Sequence, residues 1–319
     1  MGNPKRHHYV PESYLIGFTK ARTSKCALFV FDIEKQEVRP QLPKDTCVQG
    51  YYNAVELVDG SRSFEIEEAL AKVEGRAAPI IQKIDAREAL TTRERSTLST
   101  FIACQKLRVP EFESEVGQVM EKLLKQTLGV AFESKERAKQ LLDEFEKDTG
   151  APLGVSAEEM MDFVARDKYR IKTGRNESLR LMTNLVEKTA MRFMAMEWMF
   201  LHVPPGCAFV TTDNPFHIIP PSYIHELPKW MGYGYGTKGT QKLVPLSSSV
   251  GLVMGDFGDR IKHADAAPET VRQFNLGVAS DASRFLIGHE EALVLSLARS
   301  MKKAEKRQGF RWGIAKARM

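Results

Sequence analysis

Hydrophobic residues recur every three or four positions through the middle of the chain. From Ser63 onward one such stripe comprises Ile66, Leu70, Val73, Ala77, Ile81 and Ile84. This spacing predicts an amphipathic helix, because residues three and four apart share a face. The same period predicts a helix at residues 92–108, two charged helices between residues 112 and 150, and a long methionine-rich helix at residues 178–203.

Shorter apolar runs towards both ends of the chain predict β-strands. They combine β-branched and aromatic residues and are bounded by turn residues. The predicted strands are residues 26–32, 37–39, 207–211, 242–254 with a break at Pro245, and 285–288. We therefore expect an α+β fold with a predominantly helical middle. A small mixed or antiparallel sheet is expected to combine N-terminal and C-terminal strands.

The interleaving of these strands predicts one α+β domain over residues 1–300, with a helical insertion at about 112–178. A basic C-terminal tail, residues 301–319, follows. It carries seven Lys or Arg residues against Glu305, whereas the whole chain has a net charge of +5. Because the remainder is close to neutral, the basic charge belongs to the tail, and we expect nucleic acid to bind there.

Composition and cysteine spacing limit the classes of protein to which the chain can belong. No apolar run reaches the length that spans a bilayer, and the N-terminus lacks the apolar core of a signal peptide. Cys26, Cys47, Cys104 and Cys207 form no CxxC pair, which argues against a zinc knuckle and a disulfide framework. We expect a cytoplasmic protein with reduced thiols and no membrane partner.

The N-terminal arm, residues 5–18, carries an unusual density of aromatic and imidazole groups. Val10 precedes a proline and is therefore extended, so His7 and His8 are expected to point to opposite faces. A short helix is expected after Pro11, with Tyr14, Leu15 and Phe18 on its apolar face. The arm is expected to dock into the body, either as a structural plug or as the source of a functional histidine.

A polar stripe runs beside the apolar face of the first long helix. Glu67, Ala71 and Glu74 follow helical spacing, so two carboxylates share one line. The core stripe of the next helix continues onto Gln105 and Arg108. An inward Arg108 needs a partner, and Glu67 or Glu74 is expected to supply it. The pair either locks two helices together or holds an arginine ready for a phosphate or carboxylate.

The segment Thr212 to Pro215 comes directly after a predicted strand. Asp213 and Asn214 are typical of a turn, because each can bond its own backbone. A carboxylate at a strand end is also a common way to present a ligand from a rigid scaffold. Both interpretations stay open at this point.

A family resemblance rests on the arm. His7, His8, Tyr9, Val10, Pro11, Tyr14, Leu15 and Phe18 resemble the opening signature of a widespread microbial family, domain of unknown function forty-two thirty-eight. The resemblance continues in order through Ile66, Glu67, Glu74, Gln105, Arg108 and 212–215, and so covers most of the chain. It implies a common fold and no established activity. The arm is also similar to the start of some HNH-type nucleases, without their downstream asparagine and histidine.

The leading functional hypothesis is a metal-dependent hydrolase acting on phosphodiesters in nucleic acid. Imidazole and carboxylates can hold Mg²⁺, Mn²⁺ or Zn²⁺, which then activates water. The predicted catalytic residues are His7 or His8 together with Glu67, Glu74 and Asp213. The predicted metal ligands are His8, Glu67, Glu74 and Asp213. The predicted substrate-binding residues are Tyr9, Gln105, Arg108 and Asn214.

The alternative hypothesis is a non-catalytic binding or regulatory module. In that case the same His, Glu, Arg and Asp residues form a buried polar network. No nucleotide cofactor is expected under either hypothesis, because the glycines between residues 232 and 239 match neither the Walker spacing nor GxGxxG before a helix.

Overall fold

The computed structural model describes residues 5–226, 233–258 and 261–308, with side chains up to Met301 in the last range. Nine α-helices lie in these ranges: α1 Glu12–Ile16, α2 Glu65–Asp85, α3 Thr92–Arg108, α4 Pro110–Ala131, α5 Lys135–Thr149, α6 Ala157–Arg166, α7 Arg175–Ala195, α8 Pro268–Ser280 and α9 Glu291–Gln308. The strands are β1 Arg6–His8, β2 Leu28–Asp32, β3 Glu37–Gln41, β4 Val48–Gly50, β5 Val55–Glu56, β6 Arg62–Ser63, β7 Glu197–His202, β8 Thr211–Thr212, β9 His217–Ile219, β10 Gln241–Pro245, β11 Val250–Gly255, β12 Ile261–Asp265 and β13 Phe285–Gly288.

The strands form two main sheets. One is four-stranded and antiparallel, in the order β3-β2-β13-β8, and it combines N-terminal with C-terminal strands. The other has the order β12-β7-β11-β10-β9, with β12 parallel to β7 and the remaining pairs antiparallel. The α+β prediction is confirmed, as is a small sheet that combines N-terminal with C-terminal strands. Most strands of the last third, however, pair with one another in a second sheet, so the strands do not all join one sheet as the interleaving suggested.

The long helix predicted at residues 178–203 is a helix followed by a strand. Helix α7 ends at Ala195, and β7 begins at Glu197 between β11 and β12. Trp198 and Phe200 are fully buried there. A continuous apolar run fits a buried strand and a buried helix equally well by periodicity, so the pattern alone did not separate them.

Each main sheet is covered by one helix of the last third. Helix α8 packs on the five-stranded sheet through Val271, Phe274 and Val278. A Cβ at Gly251 of β11 would lie 2.9 Å from the Phe274 ring, so glycine is required for this close approach. Helix α9 covers the four-stranded sheet through Val294, Leu297 and Ala298.

The chain divides into two compact units. One comprises the residues up to Glu111 together with those from Leu179, and the other is Phe112–Ser178. In the helical unit α5 and α6 pack through Ala138, Leu142 and Ala157. The single domain at 1–300 stays a prediction. Of the predicted tail at 301–319, the side chains of 302–308 and all of 309–319 lie outside the described residues.

The arm docks into the larger unit. Tyr14, Leu15 and Phe18 are at most 3% exposed. The Tyr14 hydroxyl donates to the Pro245 carbonyl oxygen at 2.7 Å and lies 2.8 Å from Thr211 Oγ1. The arm therefore contacts strands from both main sheets. Among the described helices, none has the length and apolar character needed to cross a membrane.

Replacing Tyr14 with Phe tests this docking. The variant removes the hydrogen-bond partner of two buried groups and is expected to lower the free energy of unfolding by about 1 to 3 kcal/mol. Tyr223→Phe is the matched control, because its hydroxyl donates to the Lys238 carbonyl oxygen at an exposed position. Urea unfolding should show a change below about 0.5 kcal/mol for the control. Equal effects of the two substitutions would contradict the buried role of Tyr14.

Candidate functional site

Strand geometry separates the two histidines of the arm. Strand β1 pairs antiparallel with β4, with His7 opposite Gln49. His7 is fully buried, and its ring lies edge-on to Tyr51 and Phe64 at centroid distances of 6.3 and 5.8 Å. His8 points to the other face and lines a cleft. The alternation expected for an extended arm therefore places His8, rather than His7, at the cleft.

Asn53 ties the arm to helix α2. Its backbone N–H donates to His7 Nδ1 at 3.0 Å. Its side-chain amide donates to Glu67 at 2.7 Å and to the His8 carbonyl oxygen at 3.3 Å. Because Asn53 is fully buried, these bonds also satisfy donors that would otherwise be stranded away from water.

Helices α2 and α3 are joined by a buried ion pair. Arg108 Nη1 donates to Glu74 Oε1 at 2.6 Å, and the side-chain exposures are 1% for Arg108 and 22% for Glu74. Gln105 lies one turn earlier on the same face of α3, is 2% exposed, and has no hydrogen-bond partner for either amide atom among the described residues. Glu74, rather than Glu67, is thus the partner of Arg108.

The cleft lies between the arm and α2. Its volume is about 390 Å³. Its lining residues are His8, Glu12, Ser13 and Ile16 from the arm and Glu67, Ala71 and Glu74 from α2. A larger and more open depression of about 490 Å³ lies along α5. We assign the depression no role, because its lining comes from one helix and mixes charges of both signs.

The environment of His8 holds its ring neutral. Burial is the largest influence, and it lowers the pKa of His8 from its ordinary 6.5. The Pro43 carbonyl and the carboxylates of Glu12 and Glu74 raise the pKa, whereas the Arg108 charge lowers it further. The net effect is a lowered pKa. The neutral ring therefore stabilises the fold above about pH 6.5, and this contribution is lost as the pH falls through the lowered pKa.

One nitrogen of the His8 ring is closed off from solvent. His8 Nε2 is buried and has no hydrogen-bond partner among the described residues. His8 therefore lines the cleft without presenting this nitrogen to it.

Asp213 and Asn214 are not among the residues that line the cleft. The Asp213 carboxylate accepts backbone N–H groups of Ser283 and Arg284 at 3.0 and 2.8 Å. Burial raises the pKa of Asp213 to about 6, although these bonds pull it down. The Asn214 side chain donates to the Asp281 carbonyl oxygen at 3.1 Å. Both side chains thus tie the end of β8 to the segment 281–284 that precedes β13, rather than bonding their own backbone as the turn interpretation expected.

Tyr9 also lies away from the cleft lining. It is 7% exposed, its ring centroid is 5.6 Å from that of Tyr52, and its hydroxyl bonds the Cys47 thiol. Burial raises the pKa of the Tyr9 hydroxyl above its ordinary range. This side chain joins the buried core beside β4.

The predicted metal ligands do not form a metal centre in the described part of the chain. No group of three His, Cys, Asp or Glu side chains there is placed to hold an ion. Glu67 and Glu74 lie two turns apart, about 10 Å along the helix axis, whereas ligand oxygens must approach a divalent ion within about 2.6 Å. The donor set therefore does not fit a resident metal ion.

Several residues of the site have no predicted role from sequence. Asn53 bonds both the arm and Glu67, Pro43 orients His8, and Glu12 and Ser13 line the cleft. A signal was available only for Glu12, which follows Pro11 at the start of the short helix in a segment expected to dock. Asn53 and Pro43 are brought to the arm by long-range contacts that periodicity does not describe.

The fold and the cleft define an α+β protein with a polar cleft between an N-terminal arm and helix α2. The chain belongs to the family described as "Protein of unknown function (DUF4238)", whose model matches residues 6–292. The family resemblance seen in the sequence is thus confirmed. Searches of curated proteins and of solved structures return no match.

Replacing Glu74 with Gln tests the ion pair. The variant leaves the buried Arg108 without a counter-charge and is expected to lower the free energy of unfolding by about 3 kcal/mol. Adding Arg108→Met should recover most of this loss, because no buried charge then remains. Glu65→Gln, an exposed carboxylate on α2, is the control and should cost less than about 1 kcal/mol. Urea unfolding that leaves Glu74→Gln as stable as the wild type would contradict the assignment.

Proposed function

We propose that the protein is a binding or regulatory module whose ligand site is the cleft beside His8. One observation carries the proposal. Each carboxylate expected to bind metal already accepts a hydrogen bond from the fold: Glu67 from Asn53, Glu74 from Arg108, and Asp213 from backbone amides. Such a network is what the binding-module hypothesis requires, because buried polar groups that only support structure must be paired.

The charge of the cleft also argues against a phosphodiester ligand. The carboxylates of Glu12, Glu67 and Glu74 bring three negative charges, and the Arg108 guanidinium returns one, which leaves a net charge of −2 around a neutral imidazole. A phosphate is repelled by this field. A neutral or cationic ligand is favoured instead.

A hydrolase is the second candidate, and the His8 imidazole beside three carboxylates of the cleft favours it. A neutral imidazole is the usual general base near neutral pH. The metal-dependent form, acting on phosphodiesters with Mg²⁺, Mn²⁺ or Zn²⁺, requires His8, Glu67, Glu74 and Asp213 to meet. Since their donors do not fit one ion, we derive no step through a metal.

Two further expectations stay predictions. One is binding of nucleic acid by the tail at 301–319, whose basic side chains lie outside the described residues. The other is a cytoplasmic location.

Protein NMR with a panel of named probes tests the proposal. The panel comprises n-butylammonium, glycine methyl ester, glucose, uridine, adenosine monophosphate, inorganic phosphate and the chlorides of Mg²⁺, Mn²⁺ and Zn²⁺. At least one neutral or cationic organic probe should shift the resonances of His8, Ser13 and Ala71. His8→Ala should weaken the response, whereas His225→Ala, at an exposed histidine, should not.

A parallel assay separates the two candidates. The wild type should not hydrolyse bis(p-nitrophenyl) phosphate with any of the three metal ions. Metal-dependent hydrolysis that disappears in folded His8→Ala, or a panel in which no organic probe shifts the cleft resonances, would contradict the binding-module proposal.

A further inference from the structure

The helical unit has one stretch in which basic residues are concentrated. Over Phe112–Ser178 there are 14 Asp or Glu residues and 11 Lys or Arg residues, so this unit is acidic as a whole. Residues 168–175, which lead from α6 into α7, contain four of the 11 basic residues and none of the 14 acidic ones. The positive charge is therefore a property of one local surface.

Three of these cations lie on one side of the chain. Residues 168–174 form neither helix nor strand, and the exposure of their side chains alternates. Lys168, Arg170 and Lys172, which we call the basic stripe, are exposed, whereas the residues between them are partly buried. Such alternation is that of an extended chain, in which successive side chains point to opposite sides. Alternate residues are then about 7 Å apart, which is close to the spacing of successive phosphates along an extended single strand.

The basic stripe has no ion-pair partner in the described part of the chain, whereas neighbouring charges are paired. Arg175 pairs with Glu113 at 2.9 Å. Asp167, which is next to Lys168 in sequence, pairs with Lys125 at 2.6 Å. These carboxylates are thus already committed. Three like charges about 7 Å apart repel one another, and an anionic ligand would relieve this repulsion.

An exposed aromatic ring lies beside the basic stripe and is a second, independent feature. Tyr169, between the first two cations, stacks on Phe163 of α6 with ring centroids 4.8 Å apart and an interplanar angle of 21°. Phe163 is 52% exposed. Because Tyr169 covers one face of the Phe163 ring, the opposite face is the one available to another planar group. A nucleic-acid base is a planar group of this kind.

We propose that the basic stripe and Phe163 form a binding surface for single-stranded nucleic acid. The three cations contact phosphates, and Phe163 stacks on one base, which is the combination that proteins use to bind single strands without sequence preference. A duplex fits less well, because its bases are stacked on one another and leave no free face for the ring. The surface belongs to the helical unit and does not depend on the cleft beside His8.

Fluorescence-anisotropy titrations of the full chain with labelled oligothymidylate, over a series of salt concentrations, test the proposal. The wild type should bind the single strand more tightly than a duplex of the same length, polyglutamate or phosphatidylserine vesicles. Replacing all three stripe residues with Gln should weaken binding by about tenfold or more at low salt. It should also reduce the slope of log affinity against log salt by about 2, because each phosphate contact on a single strand contributes about 0.7.

A matched variant separates the basic stripe from general electrostatic attraction and from the tail. It combines Lys122→Gln, Lys139→Gln and Lys147→Gln, which remove the same charge from exposed positions of the same unit. This control should keep the affinity and the salt slope of the wild type. Thermal unfolding checks that both triple variants are folded. Should the stripe variant unfold, Arg170→Gln alone should reduce the slope by about 0.7, and Lys139→Gln alone should not.

Phe163→Leu tests stacking separately from charge. It should weaken binding by about fivefold or more, because a base loses its aromatic partner. It should leave the salt slope unchanged, since stacking releases no counterions. Phe145→Leu is the matched control, because Phe145 is a 50% exposed phenylalanine on α5 of the same unit. Its affinity should equal that of the wild type.

The contrary outcomes are equally specific. Absence of oligothymidylate binding, or equal effects of the two triple variants, would overturn the assignment of the basic stripe. Equal effects of Phe163→Leu and Phe145→Leu would overturn the stacking role. Tighter binding of the duplex, of polyglutamate or of the vesicles would overturn the single-strand assignment in favour of duplex nucleic acid, an acidic protein or a membrane surface, respectively.

Discussion

The structure depends on one buried amide, Asn53, which joins the arm to helix α2. Its bonds to His7, the His8 backbone and Glu67 fix the two walls of the cleft relative to each other. A fully buried amide that lost these partners would leave polar groups unpaired, at about 1 to 3 kcal/mol each. The arm, which pairs with only three residues of β4, is thus anchored by side-chain bonds as well as by its short strand.

A second constraint arises from burying charge between α2 and α3. Arg108 is nearly inaccessible to solvent, and it is tolerated because Glu74 faces it at 2.6 Å. The pair places a positive and a negative charge near His8, where they act on its pKa in opposite directions. Burial therefore remains the dominant influence, and the imidazole is kept neutral. The result is a cleft in which a neutral imidazole lies beside the carboxylates of Glu12, Glu67 and Glu74.

Much of this arrangement could be predicted from sequence because it follows local periodicity. The alternation of an extended arm separated His7 from His8, and helical spacing placed Glu67 and Glu74 on one line and Arg108 on a core stripe. The bounds of α3 agree with the predicted helix, whose N-terminus carries a capping box between Thr91 and Glu94.

The rest could not be predicted because it depends on distances between elements. Periodicity assigns a residue to a face but not to a partner, so it could not tell that Asp213 turns towards backbone amides instead of the arm. The role of Asn53 has no periodic signature. The run at 198–201 is apolar at every position, and only pairing with β11 and β12 makes it part of a strand.

The central claim is that burial keeps His8 neutral beside the carboxylates of Glu12 and Glu74. An NMR titration of the His8 ring carbons against pH measures the pKa directly. The account predicts a pKa below 6.5 and a further decrease of the pKa in Glu12→Gln, since that carboxylate raises it. A pKa at or above 6.5, or one that Glu12→Gln leaves unchanged, would contradict the account.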